Sequence, residues 1–114
     1  MEEKNIMNKI AMVGLILASS VSSALATEMT VYKSPYCGCC EKWIEHMEEN
    51  GFGVQSVNKN NMSAIKTKFS VPSNLQSCHT AVVGSYIIEG HVPASDVLSL
   101  ITQKRNVHGI ATPG

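Results

Sequence analysis

Three cysteines stand within four positions, Cys37, Cys39 and Cys40, and a fourth, Cys78, follows much later in the chain. Cys37 and Cys40 have the C-x-x-C spacing of a redox dithiol. Where such a pair opens a helix, unpaired backbone N–H groups and the helix dipole stabilise a thiolate, which is the better nucleophile and the better metal ligand. Cys39 changes that reading. A plain oxidoreductase needs two thiols, and a third beside them invites wrong pairings. Three thiols this close are more simply explained as ligands converging on one soft centre, since sulfur donors select Cu(I), zinc or an iron–sulfur cluster over hard cations. Gly38 lets the backbone turn so that neighbouring sulfurs point the same way. Cys78 sits in Ser77-Cys78-His79-Thr80, just before a β-prone run, and is read as completing the site from across a short gap. His79 is then a ligand or a group that supports one. His91, after Glu89-Gly90, is a further candidate ligand set against a solvated turn histidine. His46 reads as a surface residue of the first helix, and Trp43, Met47 and Met62 as core rather than site, while His108 lies in the tail, where the sequence assigns it nothing either way.

The flanking patterns say what must hold these residues. Thr30-Val31-Tyr32 is a short β-prone run broken by Ser34-Pro35. After the cysteine motif, Cys40, Trp43, Ile44 and Met47 recur at one helical face, with Asn50-Gly51 as the stop. Val54 to Val57 alternates like a strand, and Asn60 or Asn61 caps a helix with Met62, Ile65 and Phe69 inward. Thr80 to Val83 and Tyr86 to Ile88 flank Gly84-Ser85, a hairpin signal. Pro93 opens a last helix with Ala94, Val97, Leu98 and Ile101 as its apolar stripe. The tail from Asn106 to Gly114 shows no pattern. The order is β-α-β-α-β-β-α, an α/β fold of thioredoxin-like arrangement with a mixed four-stranded sheet. In that arrangement the loop entering the third strand faces the start of the first helix and normally carries a cis-proline. Cys78 and His79 stand there instead.

The first segment is set apart from this domain. Ile10 to Ala18 is an apolar run followed by small residues and Ala24-Leu25-Ala26, the pattern of a signal peptide over residues 1–26. Glu2 and Glu3 offset Lys4 and Lys9, whereas a start at Met7 restores the positive n-region. Residues 27–114 then form one metal-binding domain with seven acidic and seven basic side chains, which leaves no basic stripe for nucleic acid and no charge field for a membrane surface. A monomer, free of the membrane once the leader is removed, is expected. All four cysteines lie in this part, and export favours oxidation. Two structural disulfides, a dithiol working through Cys37 and Cys40, and a metal site at the four sulfurs therefore compete. Cys78 can bridge to any of the other three. A Cys39–Cys40 bridge is disfavoured by its geometry.

The stretch Tyr32-Lys33-Ser34-Pro35-Tyr36-Cys37-Gly38-Cys39-Cys40-Glu41-Lys42-Trp43 resembles the opening motif of the small exported CxCC metal-binding proteins, the family that includes the copper-resistance protein CopG. Ser77-Cys78-His79-Thr80-Ala81-Val82-Val83 and Glu89-Gly90-His91-Val92-Pro93 resemble its second signature. The resemblance implies a thioredoxin-like fold, export to the periplasm, and copper bound at Cys37, Cys39, Cys40 and Cys78. It also implies copper or silver ions and other periplasmic copper-handling proteins as partners. Members usually continue past the segment matching Gly109 to Gly114 into a Met- and Gly-containing tail. The expectation is an exported protein of copper resistance that binds Cu(I), as single ions or a thiolate cluster, with copper or thiol redox activity left open. Zinc, which also accepts four thiolates, is the second choice of metal. The alternative is a thiol–disulfide oxidoreductase in which Cys37 attacks and Cys40 resolves.

Overall fold

The computed structural model describes residues 26–113. The expected leader and the alternative start at Met7 lie outside the described residues, Ala26 at the boundary excepted. The elements are β1 (Thr27–Lys33), α1 (Gly38–Glu49), β2 (Phe52–Asn58), α2 (Met62–Lys68), a 3-10 turn (Ser73–Leu75), β3 (His79–Val83), β4 (Tyr86–Gly90), α3 (Ala94–Gln103) and β5 (Gly109–Thr112). They form one sheet in the order β2-β1-β3-β4-β5. The two outer pairs, β1–β2 and β4–β5, are parallel, and each is joined through a helix, as parallel neighbours require. The two central pairs are antiparallel, and β3 meets β4 through the two-residue Gly84-Ser85 turn, with Gly84 at φ +56°. No helix among the described residues is long and apolar enough to cross a membrane.

The α/β class and the element order through α3 are those expected. The four-stranded count and the unpatterned tail are not: residues 109–112 form a fifth strand. The cause is tertiary. Without β5, β4 would present a free edge of unpaired backbone groups. Gly109 fits against it because a Cβ there would land on the Ile87 carbonyl. Ile87 N–H donates to His108 O at 3.0 Å, and Tyr86 Oη donates to Arg105 O at 2.7 Å.

The sheet's two faces are built differently. Met29, Val31, Ala81, Val83 and Ile88 share one face with the apolar stripe of α1, where Trp43 and Met47 are buried. Each large side chain withdrawn there contributes about 1.5–3 kcal/mol. The other face, under α2, is more polar. Tyr32 packs on Phe69 with ring centroids 5.3 Å apart, and Lys66, Thr80 and Glu89 are buried together. Helix ends follow the sequence closely. Asn61 accepts from Ala64 N–H at 3.1 Å, and Gly51, at φ +92°, donates to Glu48 O. In α3 the stripe is shifted from expectation: Ala94, Val97 and Leu100 are buried while Leu98 is 40 % exposed. In α2 the fully buried residue is Lys66, with Met62, Ile65 and Phe69 half-buried.

Candidate metal centre

The CxCC motif lies where β1 hands over to α1. Cys37 is the N-cap residue, in extended backbone, and its N–H donates to Ser34 O at 3.2 Å. Cys39 and Cys40 fall in the first helical turn, which points both toward the helix start, one exposed and one buried. Buried Lys33 holds the handover in place. Its Nζ donates to Ser34 O at 3.0 Å and Asn58 Oδ1 at 2.9 Å, and pairs with Glu41 of α1 at 2.9 Å. One ammonium thus ties the ends of β1 and β2 to the first turn of α1.

Cys78 arrives from the other side, just ahead of β3, and its loop is fixed from beneath. The buried Glu89 carboxylate accepts from Ser77 N–H at 2.8 Å, Lys66 Nζ at 2.6 Å and Thr80 Oγ1 at 2.6 Å. Lys66 also donates to Thr80 Oγ1 at 3.0 Å. Every strong acceptor of the carboxylate is engaged, which a buried charge requires. Above, Trp43 Nε1–H donates to Val92 O at 2.8 Å, clamping the loop that carries His91 onto α1. Ala94 N–H donates to His46 Nε2 at 3.1 Å. His46 is exposed, as expected, and its ring also tethers α1 to the start of α3. His108 donates to Phe69 O at 2.7 Å, away from the cysteines.

The result is convergence. The sulfurs of Cys37, Cys39, Cys40 and Cys78 all lie within 4.8 Å of one another, and so do the donor atoms of Cys78, His79 and His91. The fold brings together all six residues singled out from the sequence. Cys78 Sγ is 3.3 Å from His79 Nδ1 and 3.3 Å from His91 Nε2. His79 is buried, packed at a tilt against Trp43 with ring centroids 4.4 Å apart and stacked against His91 at 5.3 Å. Burial first, and the neighbouring His91 next, lower its pKa to about 4, so the ring is neutral and able to ligate at neutral pH. Its Nε2 is buried without a hydrogen-bond partner among the described residues. Burial raises the Cys78 pKa, with Cys39 adding to the rise and a Ser77 hydrogen bond opposing it.

Cys37 and Cys40 are joined in a disulfide, leaving Cys39 and Cys78 as free thiols. A bridge from Cys78, weighed from the sequence, does not form here. Cys39 Sγ approaches Cys37 Sγ to 3.4 Å. A thiolate attacks a disulfide along the S–S axis. In-line attack on Cys37 from there would set Cys39 about 5.4 Å from Cys40, taking an ordinary bond of about 2.05 Å. The four sulfurs keep within 4.8 Å, so Cys39 sits beside the bridge rather than in line with it. The donor set suits a soft metal instead. A tetrahedral ion with bonds of about 2.3 Å to sulfur holds its ligands roughly 3.8 Å apart. The four sulfurs lie within 4.8 Å of one another, and opening the bridge frees its two sulfurs to move toward that spacing.

Lys66, Glu89 and Lys33 were not picked out by the residue types of the site. A signal for Lys66 was nonetheless present: it occupies the i+4 place in the Met62, Ile65, Phe69 stripe, where a charge demands a buried partner.

No curated protein sequence matches the chain. A family model described as "Protein of unknown function, DUF411" matches residues 75–114, which span the Cys78 loop, the hairpin, α3 and β5. A solved structure of "Copper resistance protein copG", form 1, is 42 % identical over 78 % of this chain and 70 % of its own, with a TM-score of 0.73. Form 2 is 43 % identical over 76 % and 69 %, with a TM-score of 0.72. Identity at this level across more than two thirds of the neighbour joins sequence to fold: the chain belongs to the family of the copper resistance protein CopG.

Proposed function

We propose that this protein is an exported, periplasmic copper-binding protein of metal resistance that takes Cu(I) as its cargo through Cys37, Cys39, Cys40 and Cys78. The observation that carries the reading is the convergence within 4.8 Å of four sulfurs from two separate segments, the start of α1 and the loop before β3. Two structural disulfides would need two pairs, yet one bridge closes and two thiols stay free beside it. Membership in a copper resistance family supports copper over zinc. Exchange with two external thiols, which leave joined as a disulfide, opens the Cys37–Cys40 bridge to two thiolates, and four thiolates this close can share more than one Cu(I). His79 and His91 flank Cys78 and orient or supplement it.

The disulfide at the start of α1 favours a second reading, thiol–disulfide exchange with an external thiol at half-buried Cys37. One experiment separates the two. The protein is reduced without oxygen and titrated with Cu(I) against a competing chelator while free thiols are counted. Tight binding of one or more Cu(I) per chain with loss of all four thiols, weakened in Cys39→Ser, is the expected result. Weak binding that leaves the thiols free, with efficient disulfide exchange at Cys37, would assign the protein to the oxidoreductases.

A further inference from the structure

With the bridge closed, two of the four sulfurs are withdrawn from coordination, yet a complete donor set remains on the other side of Cys78. Its sulfur stands 3.3 Å from His79 Nδ1 and 3.3 Å from His91 Nε2. A tetrahedral ion bound at about 2.3 Å to sulfur and about 2.0 Å to imidazole nitrogen sets those atoms roughly 3.5 Å apart. Both sulfur–nitrogen pairs are therefore already near the spacing of a common ion, and all three donors lie within 4.8 Å of one another. Both rings are held: His79 by burial against Trp43, and His91 by the loop that Trp43 clamps through Val92 O. The side open to solvent is a groove of ≈ 500 Å³ lined by Cys39, Lys42, Trp43, His46, His91 and Pro93. Cys39 lies within 4.8 Å of Cys78 there, as a fourth donor.

We propose that Cys78, His79 and His91, with Cys39 at the open position, form a second and mixed sulfur–nitrogen site, which holds a borderline divalent ion of the Zn(II) type while Cys37–Cys40 is closed. It shares Cys39 and Cys78 with the thiol site proposed above, while His79 and His91 belong to it alone. Imidazole with thiolate suits such an ion, whereas four thiolates suit Cu(I). The state of one disulfide thereby selects which class of metal the protein accepts. Binding releases protons from the thiols and changes no oxidation state.

The test uses the full chain with the bridge closed, verified by two free thiols, and Co(II) as the probe. One Co(II) per chain is expected, with sulfur-to-cobalt charge transfer in the near ultraviolet and the visible bands of a tetrahedral ion. Zn(II) displaces it. His91→Ala, at an exposed position that the fold does not need, weakens binding by at least the roughly 10-fold that removing a metal-site group costs. His108→Gln leaves it unchanged. Absence of a Co(II) spectrum, binding indifferent to His91→Ala, or binding only after the bridge reopens would each overturn the proposal. Cu(I) uptake by the reduced His91→Ala protein reports separately on the thiol site.

Discussion

Glu89→Gln removes the charge that Lys66 faces at 2.6 Å in a buried setting, and it weakens the acceptor for Ser77 N–H and Thr80 Oγ1. The ammonium cannot reach water, since the Lys66 side chain is 7 % exposed. Breaking one partner of a buried pair costs about 3–5 kcal/mol because the other charge is left uncompensated. A domain of this size is stable by about 5–15 kcal/mol in total, so this single change removes a large part of it. At roughly 4–8 °C per kcal/mol the melting temperature falls by at least about 12 °C. Replacing both partners with apolar residues, Lys66→Met with Glu89→Leu, costs less than either single change, because no charge is stranded. Urea denaturation of the parent, Lys66→Met, Glu89→Leu and the double variant, all with the bridge closed, gives the coupling energy of the pair, and Glu89→Gln is measured beside them. A Glu89→Gln cost below about 1 kcal/mol, or a double variant as unstable as the sum of the singles, would refute this account of how the Cys78 loop is held.

Two further outcomes follow from particular contacts. His79 has a folded pKa of about 4 against an ordinary 6.5, so the unfolded chain binds more protons between those values and stability rises with pH across that window. On acidification from 6.5 to 4 the metal-free protein loses stability on the order of 3 kcal/mol from this group. Denaturation midpoints across this range show it, and a His79→Gln protein with an equally steep slope would contradict it. Gly109→Ala drives a Cβ into the Ile87 carbonyl and costs about 1–3 kcal/mol. Hydrogen exchange at Ile87 N–H, which β5 protects through His108 O, accelerates in step, and unchanged exchange would show that β5 does not depend on the glycine.

Much of the site was legible in the sequence because its chemistry is carried by rare residue types. Cys37, Cys39, Cys40, Cys78, His79 and His91 could be named from spacing and flanks, and the fold brings all of them together. The helical face of Cys40, Trp43, Ile44 and Met47 and the Gly84-Ser85 hairpin were equally plain, being local patterns with strong periodicity. What was not legible depends on distant partners. β5 has one large apolar residue, Ile110, and becomes a strand only because the edge of β4 is free to pair. Leu98 lies near the edge of the apolar stripe of α3, and Leu100, outside the expected set, takes the inward place. The burial of His79 could have been inferred from its period-two alignment with Ala81 and Val83, both on the core face. The choice of Cys40 as the partner of Cys37 was among several pairings that cysteine spacing permits.

The central claim is that sulfur from both the start of α1 and the Cys78 loop holds the cargo. Copper K-edge X-ray absorption of the reduced, Cu(I)-loaded protein tests it most directly. The account predicts a first shell of sulfur alone, with loss of sulfur neighbours and of bound copper in Cys78→Ser. A first shell dominated by nitrogen or oxygen, or a spectrum indifferent to Cys78→Ser, would contradict it.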